Sequence, residues 1–397
     1  MTLKYARGRA RPAVAAVACL LAAHTALVAS AANPQPVWQP VAGIAGIFDL
    51  AGPRADGWLI AAGAGKLYLL DPLGAVTPFA QGPDGYADDK GGEAYLTIVP
   101  KLPAAATSGA ACTWQQGDVY VLRLHAPLGL TKVDIHGVKS AFANIPNVTG
   151  LSGITFDTIG TFGYRIVVTA TVTGGKTEVA AVDCAGAVTV ITRAAPAMEG
   201  GIEVAPKTFG AFGGTLIAPD ENSGNIYSVT ATGASQRVVA SGLPKGGDIG
   251  VESVAFVPSG WNGNLYYSDR GTPGSPHPGT DSVLMVDSGN LSYAGAQAGD
   301  LLSVTEGGAT MIDVRCAATC AVTPLISTGT KAHGEGHLVF TNRAQAVASP
   351  SPGTSPTPVA AHSSGGPNLF VVAVVIVALV VIAVAAVLVL RELRSRQ

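Results

Sequence analysis

Gly334-Glu335-Gly336-His337-Leu338-Val339-Phe340 decides the fold, because its order of glycine, glutamate and then an apolar run returns along the chain. Related copies read Gly92-Glu93-Ala94-Tyr95-Leu96, Gly201-Ile202-Glu203-Val204 and Gly250-Val251-Glu252-Ser253-Val254-Ala255-Phe256. A unit of about 50 residues holding several short strands can bury its faces only against neighbouring units, which is the logic of a radial array of small sheets, the β-propeller. The glutamate then returns at one place in each sheet.

Outward from this stretch, short apolar or alternating runs ended by Gly, Pro, Asn or Asp mark the strands. Residues 58–61, 66–70 and 76–79 form a first set. A second, led by Glu93, holds 95–99, 119–124 and 131–135, and a third holds 153–156, 164–171, 178–182 and 187–191. Glu203 leads the fourth, with 215–218, 225–229 and 236–240. Glu252 leads the fifth, with 265–268 and 282–286, and the sixth holds 300–304, 310–314 and 321–326. Residues 337–340 are left over and the first set is one strand short. The C-terminal strand is therefore expected beside the N-terminal set, closing the circle and removing a sheet edge. The fold class is all-β, a six-bladed β-propeller ectodomain over residues 32–344 with a C-terminal transmembrane helix; seven blades is the alternative count.

The composition suits this reading. Fifty glycines and 48% hydrophobic residues with only 13% charged fit turn-rich β structure and exclude a disordered chain or a coiled coil. The net charge of -2 is unevenly spread. The first 31 residues carry Lys4, Arg7, Arg9 and Arg11 and no acid, and the last seven carry three arginines against Glu392. What lies between has 17 basic and 25 acidic residues, all of them before Gln345. An acidic body repels phosphate backbones, so no nucleic-acid partner is expected, and cations are easier to accommodate.

Both ends give an address. Residues 1–31 combine the basic start, an apolar run and Ala29-Ser30-Ala31, the pattern of a secretory signal peptide. Residues 368–390 contain Leu369 to Leu390, 22 residues without a charged or polar side chain. A helix of that length spans about 33 Å, enough to cross a bilayer core. The basic tail, 391–397, places the C-terminus in the cytoplasm and the body outside. Residues 345–367 include Ser349-Pro350-Ser351-Pro352, an extended Pro/Ser/Thr-rich stalk. The expected localisation is the cell membrane, single-pass, with an extracellular body. Export agrees with the cysteines: Cys19 leaves with the signal, Cys316 and Cys320 suit a hairpin-end disulfide, and Cys112 with Cys184 completes the set.

With the glutamate-led strands innermost, Glu93, Glu203, Glu252 and Glu335 stand around the central channel, and Ser152 leaves the ring incomplete. Converging carboxylates call for a bound cation, arginine partners or raised pKa values, and calcium or another divalent cation suits an oxygen-rich site. The other readings are that these glutamates cap backbone N-H groups or touch a ligand directly. Asp220-Glu221-Asn222 and Asp269 end strands at a rim. His333 and His337 flank Glu335 and would share its side of an extended strand, as ligand-facing groups, metal ligands or an acid and base. No nucleophile elbow and no His-Glu-x-x-His pair accompanies them.

The Gly334 to Phe340 stretch and Val251-Glu252-Ser253-Val254-Ala255-Phe256-Val257-Pro258 resemble strand starts in the senescence marker protein/gluconolactonase family and related six-bladed propellers. The resemblance implies that Glu335 and Glu252 ligate calcium or another divalent metal and that lactones are hydrolysed. The family's asparagine ligand and catalytic aspartate have no counterpart at a matching position. The expected function is therefore a membrane-anchored binding module for an extracellular ligand or partner, with a structural divalent cation. A calcium-dependent hydrolase of gluconolactonase type is the alternative, and a quinone-dependent sugar oxidoreductase is the third reading.

Overall fold

The computed structural model describes residues 35–87, 92–106, 112–327 and 330–342. The expected signal peptide, stalk, apolar segment and basic tail lie outside them. Among the described residues no helix is long and apolar enough to cross a membrane.

After β1 (Gln39–Gly43) come four blades in simple succession. Blade one holds β2 (Ile47–Ala51), β3 (Leu59–Gly63), β4 (Lys66–Leu70) and β5 (Val76–Phe79). Blade two holds β6 (Leu96–Ile98), β7 (Val119–Arg123), β8 (Gly129–Val133) and β9 (Lys139–Asn144). Blade three holds β10 (Gly150–Phe156), β11 (Ile166–Val172), β12 (Lys176–Val182) and β13 (Val188–Ala195), and blade four β14 (Glu203–Val204), β15 (Leu216–Asp220), β16 (Asn225–Val229) and β17 (Ser235–Ala240). The chain then makes β18 (Val251–Phe256), the hairpin of β19 (Asn264–Asp269) and β20 (Ser282–Asp287), the short helix α1 (Ser288–Ala294), β21 (Leu301–Thr305), β22 (Met311–Cys316), β23 (Cys320–Ile326) and β24 (Gly334–Phe340).

The last two blades interleave. Strand β18 pairs with β21, with Val254 opposite Ser303, and β21 to β23 complete blade five. The β19–β20 hairpin joins blade six, ordered β1-β20-β19-β24. This corrects the expected fifth set, which kept 265–268 and 282–286 with Glu252. It also corrects the place of the C-terminal strand: β24 pairs with β19, Tyr266 opposite Val339, and meets the first blade as a neighbouring blade does. Closure is still made by both ends of the chain, since β1 forms the outer edge of the sheet whose innermost strand is β24.

The side chains of β19 explain the placement. Leu265 and Tyr267 pack with Leu302, Val304 and Met311 of blade five, while Tyr266 packs with Ile47, Leu59 and Leu70 of blade one. A strand apolar on both faces is stable only between two other sheets. The same holds around the ring, where six apolar cores each lie between two adjacent blades. The innermost strands β2, β6, β10, β14, β18 and β24 touch one another in that cyclic order, so the array is a closed six-bladed propeller.

A turn repeat, distinct from the glutamate repeat, locks blade to blade. Asp71, Asp134 and Asp183 each stand three residues before a glycine, and each uses Oδ1 to accept two backbone N-H groups of its own turn. Thr230 takes the same place before Gly233. The glycines have positive φ, and a Cβ there would strike the preceding blade: at Gly186 it would lie 2.7 Å from the Phe142 carbonyl oxygen, at Gly233 2.6 Å from that of Ile191. Gly186→Ala is expected to lower the unfolding free energy by about 2 kcal/mol, through left-handed strain and the forced separation of blades two and three. Urea unfolding checks this; an unchanged midpoint would show that the turn does not hold the blades.

Both disulfides form as read. Cys316–Cys320 closes the β22–β23 hairpin, and Cys112–Cys184 ties the β6–β7 connection to blade three across 72 residues of sequence.

Candidate functional site

All six innermost strands run the same way along the axis, so the propeller has an upper face where they begin and a lower face where they end. Acidic side chains gather at the upper one. Glu252 and Glu335 are the second residues of β18 and β24, both buried, and Glu93 stands exposed before β6. Arg270, just after β19, donates from Nη1 to Glu335 Oε1 at 3.0 Å and lies 3.5 Å from Glu93 Oε1. Tyr95 donates its hydroxyl to Glu252 Oε1 at 2.7 Å. Three of the four predicted ring glutamates thus meet on one face.

Glu203 does not join them. Gly201 bridges Ser253 of the parallel neighbouring strand, which sets Glu203 level with Ala255, three residues further down the axis than Glu252. Its Oε2 accepts the Phe256 N-H at 2.7 Å, stitching blade four to blade five. For this residue the capping reading is the one that the geometry fits. Glu199, before Gly200-Gly201, takes the upper position instead, just as Glu335 precedes Gly336.

Loops complete the upper site. Glu199, Glu221 after β15, and Glu306 after β21 form a run of carboxyl groups in side-chain hydrogen-bond reach of one another. Burial raises Glu199 to about 7, helped by the Glu221 charge, and raises Glu221 to about 8, helped by Glu306. Oε1 of Glu221 is buried and has no hydrogen-bond partner. Burial also holds Glu252 well above the usual carboxylate range, with the Glu335 charge adding to it.

His333 is 2% exposed and lies between two acids, its Nε2 2.8 Å from Glu306 Oε1 and 3.5 Å from Glu335 Oε1. Burial disfavours its charge, but hydrogen bonds to Glu306 and Glu335 outweigh that and lift it to about 10. Ligand atoms of Asp248, Glu306 and His333 lie within 4.8 Å of one another.

His337 leaves this face. Gly336 has φ +74°, and the β19–β24 register shifts between Tyr266 and Ser268, so the alternation that would keep His333, Glu335 and His337 together is broken. The imidazole instead crosses the axis. Its Nδ1 stands 2.9 Å from Asp49 Oδ1 and its Nε2 2.7 Å from the Ile154 carbonyl oxygen. Two acceptors face the two ring nitrogens, the arrangement of an imidazolium. Burial works against that charge, and Asp49 more than restores it, raising the pKa.

Below this waist a cavity of about 390 Å³ opens at the lower face, lined by residues of all six innermost strands. Its walls include Leu50, Ile98, Phe156, Phe256 and Leu338, and its polar groups include Thr97, Thr155, Glu203 and His337.

The remaining predicted rim residues hold the scaffold. Asp220 accepts from the Ser223 hydroxyl at 2.5 Å in the β15–β16 turn, and Asn222 is exposed beside it. Asp269 accepts the His333 N-H at 2.8 Å and the Thr280 hydroxyl at 2.5 Å. The sequence reading missed Asp49, Glu199, Arg270 and Glu306. Only Glu199 carried a legible signal, its place before a glycine pair.

No protein-family model matches the chain, and no curated protein matches it in sequence. Solved structures that resemble it include a streptogramin B lyase, at 15% identity over 77% of this chain and 92% of that one, TM-score 0.40. A virginiamycin B lyase from Staphylococcus aureus is 13% identical over 78% of this chain and 94% of that one, TM-score 0.40. A glucose dehydrogenase-like oxidoreductase of Thermus thermophilus is 17% identical over 74% and 88%, TM-score 0.39.

Proposed function

We propose that the chain is an exported, membrane-anchored propeller that works as a binding module, and that its upper face presents a divalent cation to an extracellular ligand. The observation that carries this reading is the run of Glu199, Glu221 and Glu306, in which three carboxyl groups lie in hydrogen-bond reach of one another and the buried Glu221 Oε1 is left unpaired. Adjacent buried carboxylates are stable only when protons or a cation lie between them. The donor set is chiefly carboxylate oxygen, which fits calcium better than a soft transition metal. His333 fits less well as a ligand, since Glu306 and Glu335 favour a proton on its ring, and it serves instead to balance charge.

The two ends of the sequence supply the rest. A cleavable leader, a proline-rich stalk and an apolar segment followed by arginines would tether the body outside a membrane. That arrangement suits recognition of a partner.

Calcium is expected to raise the melting temperature of the full chain by about 5 °C at a hundredfold excess over its dissociation constant. Glu221→Gln should abolish most of that rise, while Glu178→Gln, far from the axis, should leave it. Equal melting with calcium, magnesium, manganese or chelator would remove the cation. Hydrolysis of a lactone by the same chain, lost in Glu221→Gln, would replace the binding module with an enzyme.

A further inference from the structure

We propose that the lower-face cavity is a second binding site, for a small apolar molecule bearing an ammonium group, with Glu203 as the residue that receives that group. The site is separate from the acidic upper face and does not depend on it.

The cavity lies on the propeller axis, where six strands end together, and its volume of about 390 Å³ falls in the range of small-molecule sites. Its wall is aliphatic and aromatic, supplied by every blade. Pro53, Pro100 and Pro258 stand at the ends of β2, β6 and β18, and a proline there offers no N-H that would need a partner in an apolar mouth. Such a wall excludes a strongly hydrated ligand and favours one with an apolar body.

Polarity is confined to the inner part. His337 has both ring nitrogens engaged, on Asp49 and on the Ile154 carbonyl, so its charge is balanced by Asp49 and it offers no free donor to a ligand. Glu203 differs. Only its Oε2 is used, by the Phe256 N-H, and Oε1 has no hydrogen-bond partner among the described residues. One carboxyl oxygen therefore remains as an acceptor inside an apolar chamber whose other charges cancel. Its burial raises the group to about 7 against the smaller opposing pulls of the Phe256 N-H and the His337 charge, a cost of burial that an ammonium seated on Oε1 would relieve. An anionic ligand would meet like charge, and a purely apolar one would leave Oε1 without a partner. The threonines Thr97 and Thr155 add hydroxyls that can accept a second ammonium hydrogen.

The test uses phenethylamine as probe, with 2-phenylethanol and 3-phenylpropionate as its neutral and anionic counterparts, titrated into the full chain in chelator by calorimetry. Phenethylamine should bind, the propionate should not, and the amine should bind more tightly at about pH 8 than at about pH 6 as Glu203 ionises. Glu203→Gln, which keeps an oxygen for the Phe256 N-H, should weaken the amine by about tenfold to a hundredfold, the usual weight of a charge-assisted hydrogen bond. Thr158→Trp, placing a large ring at the exposed rim, should block all binding with the melting temperature unchanged. Glu221→Gln should leave the amine's affinity as it was, which separates this site from the upper face. Absence of amine binding, equal affinity for amine and propionate, or full affinity in Glu203→Gln would overturn the proposal.

Discussion

Asp49→Ala is expected to destabilise the propeller by about 4 kcal/mol, the cost of breaking a buried, hydrogen-bonded ion pair by removing one partner. Asp49 has no exposed surface. Its Oδ1 accepts the N-H of Leu50 at 2.7 Å and of His337 at 2.6 Å, and its Oδ2 accepts the N-H of Leu96 at 2.7 Å. Those three donors belong to the innermost strands of blades one, six and two. The His337 ring adds a charge on the same carboxylate and reaches on to blade three through Ile154. One carboxylate thus closes the ring where the two ends of the chain meet. Removing it strands three N-H groups and an imidazolium away from water. Urea unfolding followed by tryptophan fluorescence reads the loss. In a cycle with His337→Gln, the double variant should be less destabilised than the sum of the two single changes, because the uncompensated charge is then gone. Additive effects, or a loss below about 1 kcal/mol, would mean that blade packing alone closes the ring.

The same residue shows where sequence reasoning stops. The glutamate repeat and the spacing of apolar runs were enough to count six blades, because each sheet must be covered on both faces and therefore reads as short apolar strands at even intervals. Strand β2 escaped because Asp49 sits in its middle, and a buried charge looks like a strand terminator until its partners are known. Strand β1 escaped as an edge strand with Pro40 and mostly half-covered or exposed residues, which has little pattern to show. The β19–β20 hairpin belongs to blade six and not to the set led by Glu252, and nothing local tells a strand which neighbour it will pair with. That choice is made by Tyr266 and Tyr267, which need apolar partners on opposite faces. The turns that begin with Asp71, Asp134 and Asp183 are legible in the sequence, since a carboxylate three residues before a glycine is a local signal with a local mechanism.

For the site, recurrence of glutamate was a sound guide to three of four ring positions. It failed at Glu203, where register matters more than composition. A shift of three residues carries a side chain from the upper face to the lower cavity. Arg270 and Glu306 come from connections with no repeat, and only the folded axis brings them to Glu335 and His333.

In the presence of chelator, melting temperature is expected to be highest near pH 5 and to fall continuously to pH 9. The acids determine the lower part of that window. Glu199 and Glu203 are raised to about 7 and Glu221 to about 8, against an ordinary 4.5, with burial the first cause in each. Between about 4.5 and those values the folded chain keeps protons that the unfolded chain has released, so stability drops as pH rises. The histidines determine the upper part. His333, raised to about 10, and His337, also raised, contribute stability that is complete below about 6.5 and is lost as pH climbs through their folded values. Both groups of residues therefore act with the same sign. Glu199→Gln and Glu221→Gln should flatten the fall between pH 5 and 8 and leave the fall above 8, which belongs to the histidines. Calcium should act in the opposite sense to alkali, since it competes with protons for the same oxygens, so its stabilisation should be small at pH 5 and large at pH 8. A melting temperature that is level or rises from pH 5 to 8 would show that these carboxyl groups are ionised at neutral pH without penalty, and would leave the upper face with neither protons nor a cation to hold it together.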